Sequence, residues 1–140
     1  QKLKIEHEVK YFSPISTDMM IPSMGQATLG IETTNDPRIV ELVSVLNDKD
    51  AHIESTIERS FVDTLQGGCQ VPIGVKATII DENSIRVQAI VGLPDGSEYI
   101  SEDITASIKD YEKVGQKLAQ NFIDQGAKEL LDRAEKLAFK

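Results

Sequence analysis

The spacing of apolar residues changes at the glycine pair Gly67 and Gly68, and this change constrains the fold more than any other feature. Before the pair, apolar side chains recur at every fourth residue, which predicts a helix from about Lys49 to Leu65. The stripe consists of Ile53, Ile57, Phe61 and Leu65. After the pair, apolar and polar residues alternate, which predicts strands. Because glycine commonly ends a helix, the pair marks a junction between helix and strand.

Three strands and two helices are expected after this junction. The first two strands alternate apolar and polar residues and are separated by turn residues. The third, from Glu98 to Ile104, is more polar and is predicted at an edge of the sheet. Two C-terminal helices, the first capped by Asp110 and the second following Gly126, carry apolar faces that could cover the sheet. The order predicts an α+β unit, with helices on one face of a three-stranded antiparallel sheet.

The residues before Lys49 are less regular. Asp36 and Pro37 are typical of a helix start, and apolar residues up to Leu46 follow on one helical face. Residues 19–22 and 29–32 have the composition of short extended stretches on either side of Gly25 and Gln26.

The one cysteine of the chain, Cys69, lies in the junction. Gly67 and Gly68 allow another group to approach closely, and Pro72 biases Val71 towards an extended conformation. The sulfur is therefore expected to point in one fixed direction. Cys69 follows a helix C-terminus, and no Lys or Arg lies within six residues of it, so the sequence gives no sign of a strongly activated thiolate. Such a thiol suits one lasting capture of a reactive electrophile.

These residues resemble a known family. The segment Leu65–Gly74 is similar to the cysteine loop of hydroxymethylbilane synthase, also called porphobilinogen deaminase. The likeness covers the chain from about Met20 to its end. It also includes Ile21–Glu32, Glu58 with Arg59, and Val91–Gly96.

The resemblance implies a dipyrromethane cofactor, assembled from the substrate and joined to Cys69 through a thioether. Gly68 would lie beside it, and Gln26 would lie at the crossing between the first two domains, near the cofactor cleft. The implied activity is a transferase of tetrapyrrole biosynthesis, which adds four porphobilinogen units to this primer, releases ammonia with each and yields hydroxymethylbilane. The family's catalytic aspartate belongs to its N-terminal domain, so no catalytic residue is assigned in this chain.

The chain departs from the family beside Gln26. Ala27 replaces the second glycine of the family's Gly-Gln-Gly, and Thr28 replaces the alanine that follows it. A Cβ at residue 27 is expected to exclude backbone conformations that only glycine adopts easily.

The resemblance also implies a domain organisation. Residues 48–140 would form the cofactor-anchoring C-terminal domain, and residues 1–47 the incomplete end of the second domain with its return to the first. The substrate partners would be porphobilinogen and the growing polypyrrole. The chain alone is expected to be inactive, because the aspartate and the basic groups would lie in missing N-terminal domains. Those domains, or a second copy of the chain in a homodimer, could cover the apolar residues of 1–47.

Other interpretations of these residues stay open. Cys69 could be the nucleophile of a thiol enzyme or redox module, or a core residue of a non-catalytic interaction domain. A structural and a catalytic role are equally open for Glu58 and Arg59. His52 is a poor base for Cys69, because the helix between them separates the two by roughly 20 Å.

Composition excludes several classes of function. A net charge of −8 disfavours nucleic acid and anionic membranes as partners. No apolar run approaches the roughly 20 residues that span a bilayer. A single cysteine excludes an internal disulfide, which favours the cytoplasm. His7 between Glu6 and Glu8 falls short of a recognised metal-ligand spacing, so no metal site is predicted.

Overall fold

The computed structural model describes residues 10–66 and 72–138 and has the predicted α+β architecture. The elements are α1 (Pro37–Ser44), α2 (Lys49–Leu65), β1 (Ile73–Ile79), β2 (Ser84–Gly92), β3 (Tyr99–Ser107), a 3-10 turn (Ile108–Asp110), α3 (Tyr111–Asp124) and α4 (Ala127–Ala138). The bounds expected for α2 are confirmed.

The alternation of apolar residues produces an antiparallel sheet in the order β1-β2-β3. Val75 pairs with Ala89, and Val87 pairs with Ile104. One face of the sheet is apolar and buried, through Val75, Ala77, Ile85, Val87, Ala89 and Val91. β3 is a polar edge strand as predicted, but it continues three residues beyond Ile104 to Ser107. The reason is that Ala106 still pairs with Ile85 and packs against the core.

Helices α2, α3 and α4 cover the apolar face, as the apolar stripes predict. Phe61 of α2 and Phe122 of α3 meet edge to face, with ring centroids 5.1 Å apart. Gly115 allows α3 to approach α2 closely, since a Cβ there would collide with the Ile57 carbonyl oxygen and the Ser60 hydroxyl. The core therefore lies between the sheet and these helices.

Aspartates begin the first two helices. The Asp36 side chain accepts a hydrogen bond from the Arg38 amide, with Pro37 in the first turn as predicted, and Asp48 caps α2 in the same way. The predicted capping role of Asp110 is wrong. Its backbone lacks the extended conformation of a cap, because the 3-10 turn precedes α3, and its side chain makes no capping hydrogen bond.

The segment from residue 10 to residue 36 includes turns at 17–19 and 24–27 and no strand. The extended stretches expected at 19–22 and 29–32 stay predictions. The backbone of this segment contributes one hydrogen bond to the sheet edge, from the Val75 amide to the Pro22 carbonyl at 2.8 Å. The next outward amides of β1 are already bonded to side chains of α2, so the pairing does not continue. None of the residues of α1 is buried.

Candidate functional site

The junction expected to carry the cofactor is fixed at both of its described ends. α2 ends in buried Leu65, and Gln66 follows it in the left-handed region at φ 57°. On the other side, the Pro72 carbonyl accepts a hydrogen bond from the Gly92 amide at 3.2 Å, and Ile73 pairs with Val91. Both flanks are therefore held, one by the core and the other by β2.

Two of the three predicted site residues, Gly68 and Cys69, lie outside the described residues, together with Gly67, Gln70 and Val71. Their roles stay predictions. The helix ends at Leu65 as expected, and Gln66, the residue before the glycine pair, is left-handed. A side chain in this conformation costs about 1 kcal/mol or more relative to glycine.

The third predicted site residue, Gln26, lies exposed on a tight turn formed by residues 23–28, here called the Gln26 turn. The Gln26 amide donates to the Ser23 carbonyl, and the Thr28 amide donates to the Gly25 carbonyl at 2.9 Å. Gly25 and Ala27 both have φ of 67°. The expectation that a Cβ keeps residue 27 out of such a conformation is therefore wrong, because the surrounding hydrogen bonds hold Ala27 there.

A buried glutamate connects the Gln26 turn to the helix and strand of the junction. Glu58 of α2 is 2% exposed, and its Oε2 accepts a hydrogen bond from the Gly25 amide at 2.7 Å. Its Oε1 accepts from the Ala77 amide at 3.0 Å and from Lys76 Nζ at 3.3 Å. One carboxylate thus joins three parts of the chain that are distant in sequence.

Glu54, one helical turn earlier, makes a parallel set of contacts. Its Oε1 accepts from the Ile79 amide at 3.1 Å, and its Oε2 accepts from Lys76 Nζ at 3.0 Å. The spacing of the two glutamates matches the spacing of the two amides, because four helical residues rise about 6 Å and two strand residues rise about 6.8 Å. Two glutamates spaced by four therefore reach alternate amides of β1.

Lys76 is the cation that both carboxylates share. Burial by itself would lower the pKa of Lys76, but the hydrogen bonds and negative charges of Glu54 and Glu58 outweigh this effect and raise the pKa above its ordinary value of 10.5. The lysine therefore stays charged beside the buried Glu58.

A signal for this arrangement is present in the sequence, although the spacing of apolar residues alone does not reveal it. Glu54 and Glu58 each follow a residue of the buried stripe, Ile53 and Ile57, so both must lie at its border. Carboxylates at the border of a buried face need hydrogen-bond donors. Only the fold shows that backbone amides of β1 supply them.

A second contact holds the N-terminal segment on the outer face of the sheet. Asp18 Oδ1 accepts hydrogen bonds from Arg86 at 2.8 Å and from Gln88 at 3.0 Å, and Arg86 also pairs with Asp103. The hydrogen bond and the charge of Arg86 hold the pKa of Asp18 below its ordinary value. Asp18, Pro22 and Gly25 thus attach this segment to the α+β unit at three points.

The other candidates contribute less chemistry. His52 is exposed on α2, thirteen residues before Leu65, in agreement with the expected distance from the junction. Along the described ranges 10–66 and 72–138, no group of three or more His, Cys, Asp or Glu side chains could hold a metal ion. His7 lies outside these ranges. None of the helices in the described part is long and apolar enough to cross a membrane.

One open depression of about 310 Å³ lies along the exposed side of α2. It is lined by His52, Ser55, Thr56, Arg59, Ser60 and Asp63. The hydroxyls of Ser55 and Thr56 already donate to the His52 carbonyl. Two of its polar side chains are thus engaged within the helix itself.

The fold and the junction define a small α+β domain in which a cysteine-bearing segment connects a core helix to the first strand of the sheet. A family model described as "Porphobilinogen deaminase, C-terminal domain" matches residues 52–124. The chain therefore belongs to the porphobilinogen deaminase family, which confirms the resemblance read from the sequence.

Curated relatives support the same family. The chain is 84% identical to porphobilinogen deaminase of Aliarcobacter butzleri over 140 residues, which are 100% of this chain and 45% of that protein. It is 52% identical to the Sulfurimonas denitrificans protein of that name, over 96% of this chain and 43% of the relative. It is also 52% identical to the one from a Nitratiruptor species, over 100% of this chain and 44% of the relative. The chain thus spans less than half of the length of these relatives.

Proposed function

We propose that this chain is the cofactor-anchoring part of a porphobilinogen deaminase, the transferase that polymerises four porphobilinogen units to hydroxymethylbilane with release of ammonia. The observation that carries the proposal is the match to the Aliarcobacter butzleri protein of that name, at 84% identity along the whole chain. The substrates would be porphobilinogen and the growing polypyrrole, and the compartment would be the cytoplasm.

Within this proposal, Cys69 holds the dipyrromethane cofactor through a thioether, with Gly68 and Gln26 next to it. When bound, the cofactor supplies the primer on which the polypyrrole grows. The described residues fit this role, because Leu65 and Ile73 fix both flanks of the cysteine-bearing segment in the core and the sheet. Glu58 holds the Gln26 turn on the same helix. A tether of this kind needs a rigid base, and α2 with β1 provides one.

The proposal is tested in a chimera, in which these 140 residues replace the matching part of the Aliarcobacter butzleri enzyme. We expect the chimera to convert porphobilinogen to hydroxymethylbilane and to carry a dipyrromethane adduct on the peptide that contains Cys69. C69S should abolish both. The control C69S/S101C places a thiol on the exposed edge strand and should restore neither. Intact mass, peptide mapping and product absorbance are the measurements.

Each outcome separates the proposed role from its rivals. A chimera without turnover contradicts the proposed activity, and turnover without an adduct on Cys69 contradicts the anchor. A Cys69 thiol that is alkylated rapidly at neutral pH, with a lowered pKa, would favour a thiol enzyme or redox module. A thiol that reacts only after denaturation would favour a core residue in an interaction domain. The 140 residues alone should show no turnover.

We further propose that the rest of the enzyme covers the apolar residues that this structure leaves exposed in its N-terminal part. These include Tyr11, Phe12, Ile15, Met19, Met20, Leu29, Leu42 and Leu46. More than half of each relative's length lies outside the match and could supply that cover. Sedimentation tests this: the chimera should be monomeric. A dimeric chimera would favour a second copy as the partner instead.

A further inference from the structure

The Gln26 turn is held in a conformation that its own sequence does not favour. Gly25 and Ala27, on either side of Gln26, both have φ of 67°. For Gly25 this carries no steric penalty, but for Ala27 the Cβ meets the backbone in this region. A strained residue persists only where its surroundings hold it in place. Besides its own two hydrogen bonds, the turn has one contact from outside itself.

Glu58 supplies this contact. Its Oε2 accepts the Gly25 amide at 2.7 Å, across 33 residues of sequence. The carboxylate is itself fixed, because its Oε1 accepts the Ala77 amide and Lys76 Nζ. Hydrogen bonds to a carboxylate are stronger than those between neutral groups. The position of the turn is thus set by β1, through a side chain of α2.

The geometry points to Glu58 as the positioning residue that fixes the Gln26 turn relative to α2 and β1, the two elements that flank Cys69. It acts on the turn through the Gly25 amide. Loss of this contact frees the turn while the sheet stays folded. The consequence for turnover rests on the proposed function, whereas the consequence for the turn does not.

Glu54 offers a matched control on the same helix. It shares Lys76 with Glu58 and binds an amide of the same strand, that of Ile79, but it does not contact the turn. E54A therefore removes the same kind of strand contact as E58A and leaves the Gly25 amide bonded. A difference between the two variants isolates the contact with the turn.

The test measures amide hydrogen exchange and steady-state kinetics in the chimera. E58A should raise the exchange rate of the Gly25 amide by about tenfold or more, since it loses a charge-assisted hydrogen bond. E54A should leave that rate within about twofold. On the proposed function, E58A should also lower kcat more than it changes KM. E58Q keeps the side-chain volume and one acceptor oxygen, so it should fold. Its exchange rate at Gly25 and its kcat should lie between those of E58A and the parent.

A rescue variant distinguishes positioning of the turn from general support of the fold. A27G removes the Cβ that opposes the left-handed conformation. In the E58A or E58Q background, A27G should therefore lower the exchange rate of the Gly25 amide by about fivefold. If Glu58 only supports β1, A27G should leave the exchange rate of the Gly25 amide unchanged in these backgrounds.

Two results would overturn the inference: equal exchange at Gly25 in E58A and E54A, or no recovery with A27G in either background. If the exchange results are as expected but the parent chimera makes no hydroxymethylbilane, the proposed function fails and the positioning role of Glu58 stands.

Discussion

Helices α1 and α2 begin with the same kind of cap but differ in the burial of their apolar faces. Both are capped by an aspartate, Asp36 or Asp48, and both carry apolar side chains on one face. In α2 this face is buried against the sheet and α3, whereas in α1 Leu42 remains 69% exposed. Local sequence is therefore sufficient to specify a helix. Burial of its apolar face depends on whether another element presents a complementary surface.

The largest expected difference between the two regions comes from truncating one apolar residue in each. F61A removes a fully buried ring that packs edge to face on Phe122, and it should lower the free energy of unfolding by about 3–5 kcal/mol. L42A should change it by less than about 0.5 kcal/mol in this chain. Urea denaturation measures both. Equal losses of unfolding free energy in F61A and L42A would contradict the difference in burial between α2 and α1. A larger loss for L42A in the chimera than in this chain would show that the rest of the enzyme buries the apolar face of α1.

A glycine from each region gives the next effect. G115A places a Cβ against the Ile57 carbonyl oxygen and the Ser60 hydroxyl, and the overpacking should cost about 1–3 kcal/mol. A Cβ at Gly30 meets no atom within 4 Å, so G30A should be neutral within about 0.5 kcal/mol. Thermal unfolding of the two variants provides the comparison. A neutral G115A would mean that α3 can move away from α2 without penalty.

A gain in stability is expected at the boundary of the junction. Gln66 has φ of 57°, so Q66G relieves the penalty on its Cβ and should stabilise the chain by about 0.5–1 kcal/mol. Gln125, the residue after α3, has φ of −86° and offers no such strain. Q125G should therefore give no gain. Chemical denaturation of both variants checks the sign, and a loss for Q66G would contradict the left-handed assignment.

The smallest effect is a dependence on alkaline pH. The pKa of Lys76 is higher in the folded state than its ordinary value of 10.5. Its contribution to stability is therefore complete below pH 10.5 and is lost as the pH rises through the folded-state pKa. The change should be less than about 1 kcal/mol, because the lysine is partly exposed.

A matched variant isolates this dependence. K76M has no titrating group at this position, so its stability, although lower throughout, should lack the alkaline decline. Urea unfolding as a function of pH measures both proteins. An identical decline in K76M would assign the effect to other residues.

The contrast between the two regions also explains what the sequence could predict. The stripe of α2 and the alternation in β1 and β2 are local patterns, and the corresponding elements were predicted correctly. Asp110 failed as a cap because the 3-10 turn before α3 sets its backbone, and no residue type signals that turn.

The candidate site was less predictable, because its contacts join distant residues. Glu58 and Gly25 are 33 residues apart, and their contact requires the register of β1 against α2. Residue type alone led to the wrong expectation for Ala27, whose left-handed conformation occurs in a turn with hydrogen bonds of its own and a contact to Glu58. The resemblance assigns a role to Cys69, whose segment lies outside the described residues.

The carboxylates along β1 have a consequence for association. Amide groups on an unpaired strand edge invite another chain to add to the sheet, which is a route to aggregation. The amides of Val75, Ala77 and Ile79 are already bonded, so a further strand would have to displace two glutamates and a proline carbonyl. Of the described strands, this leaves β3 as the open border, where the consecutive residues Glu102 and Asp103, the latter paired with Arg86, place charged side chains that oppose the addition of another strand.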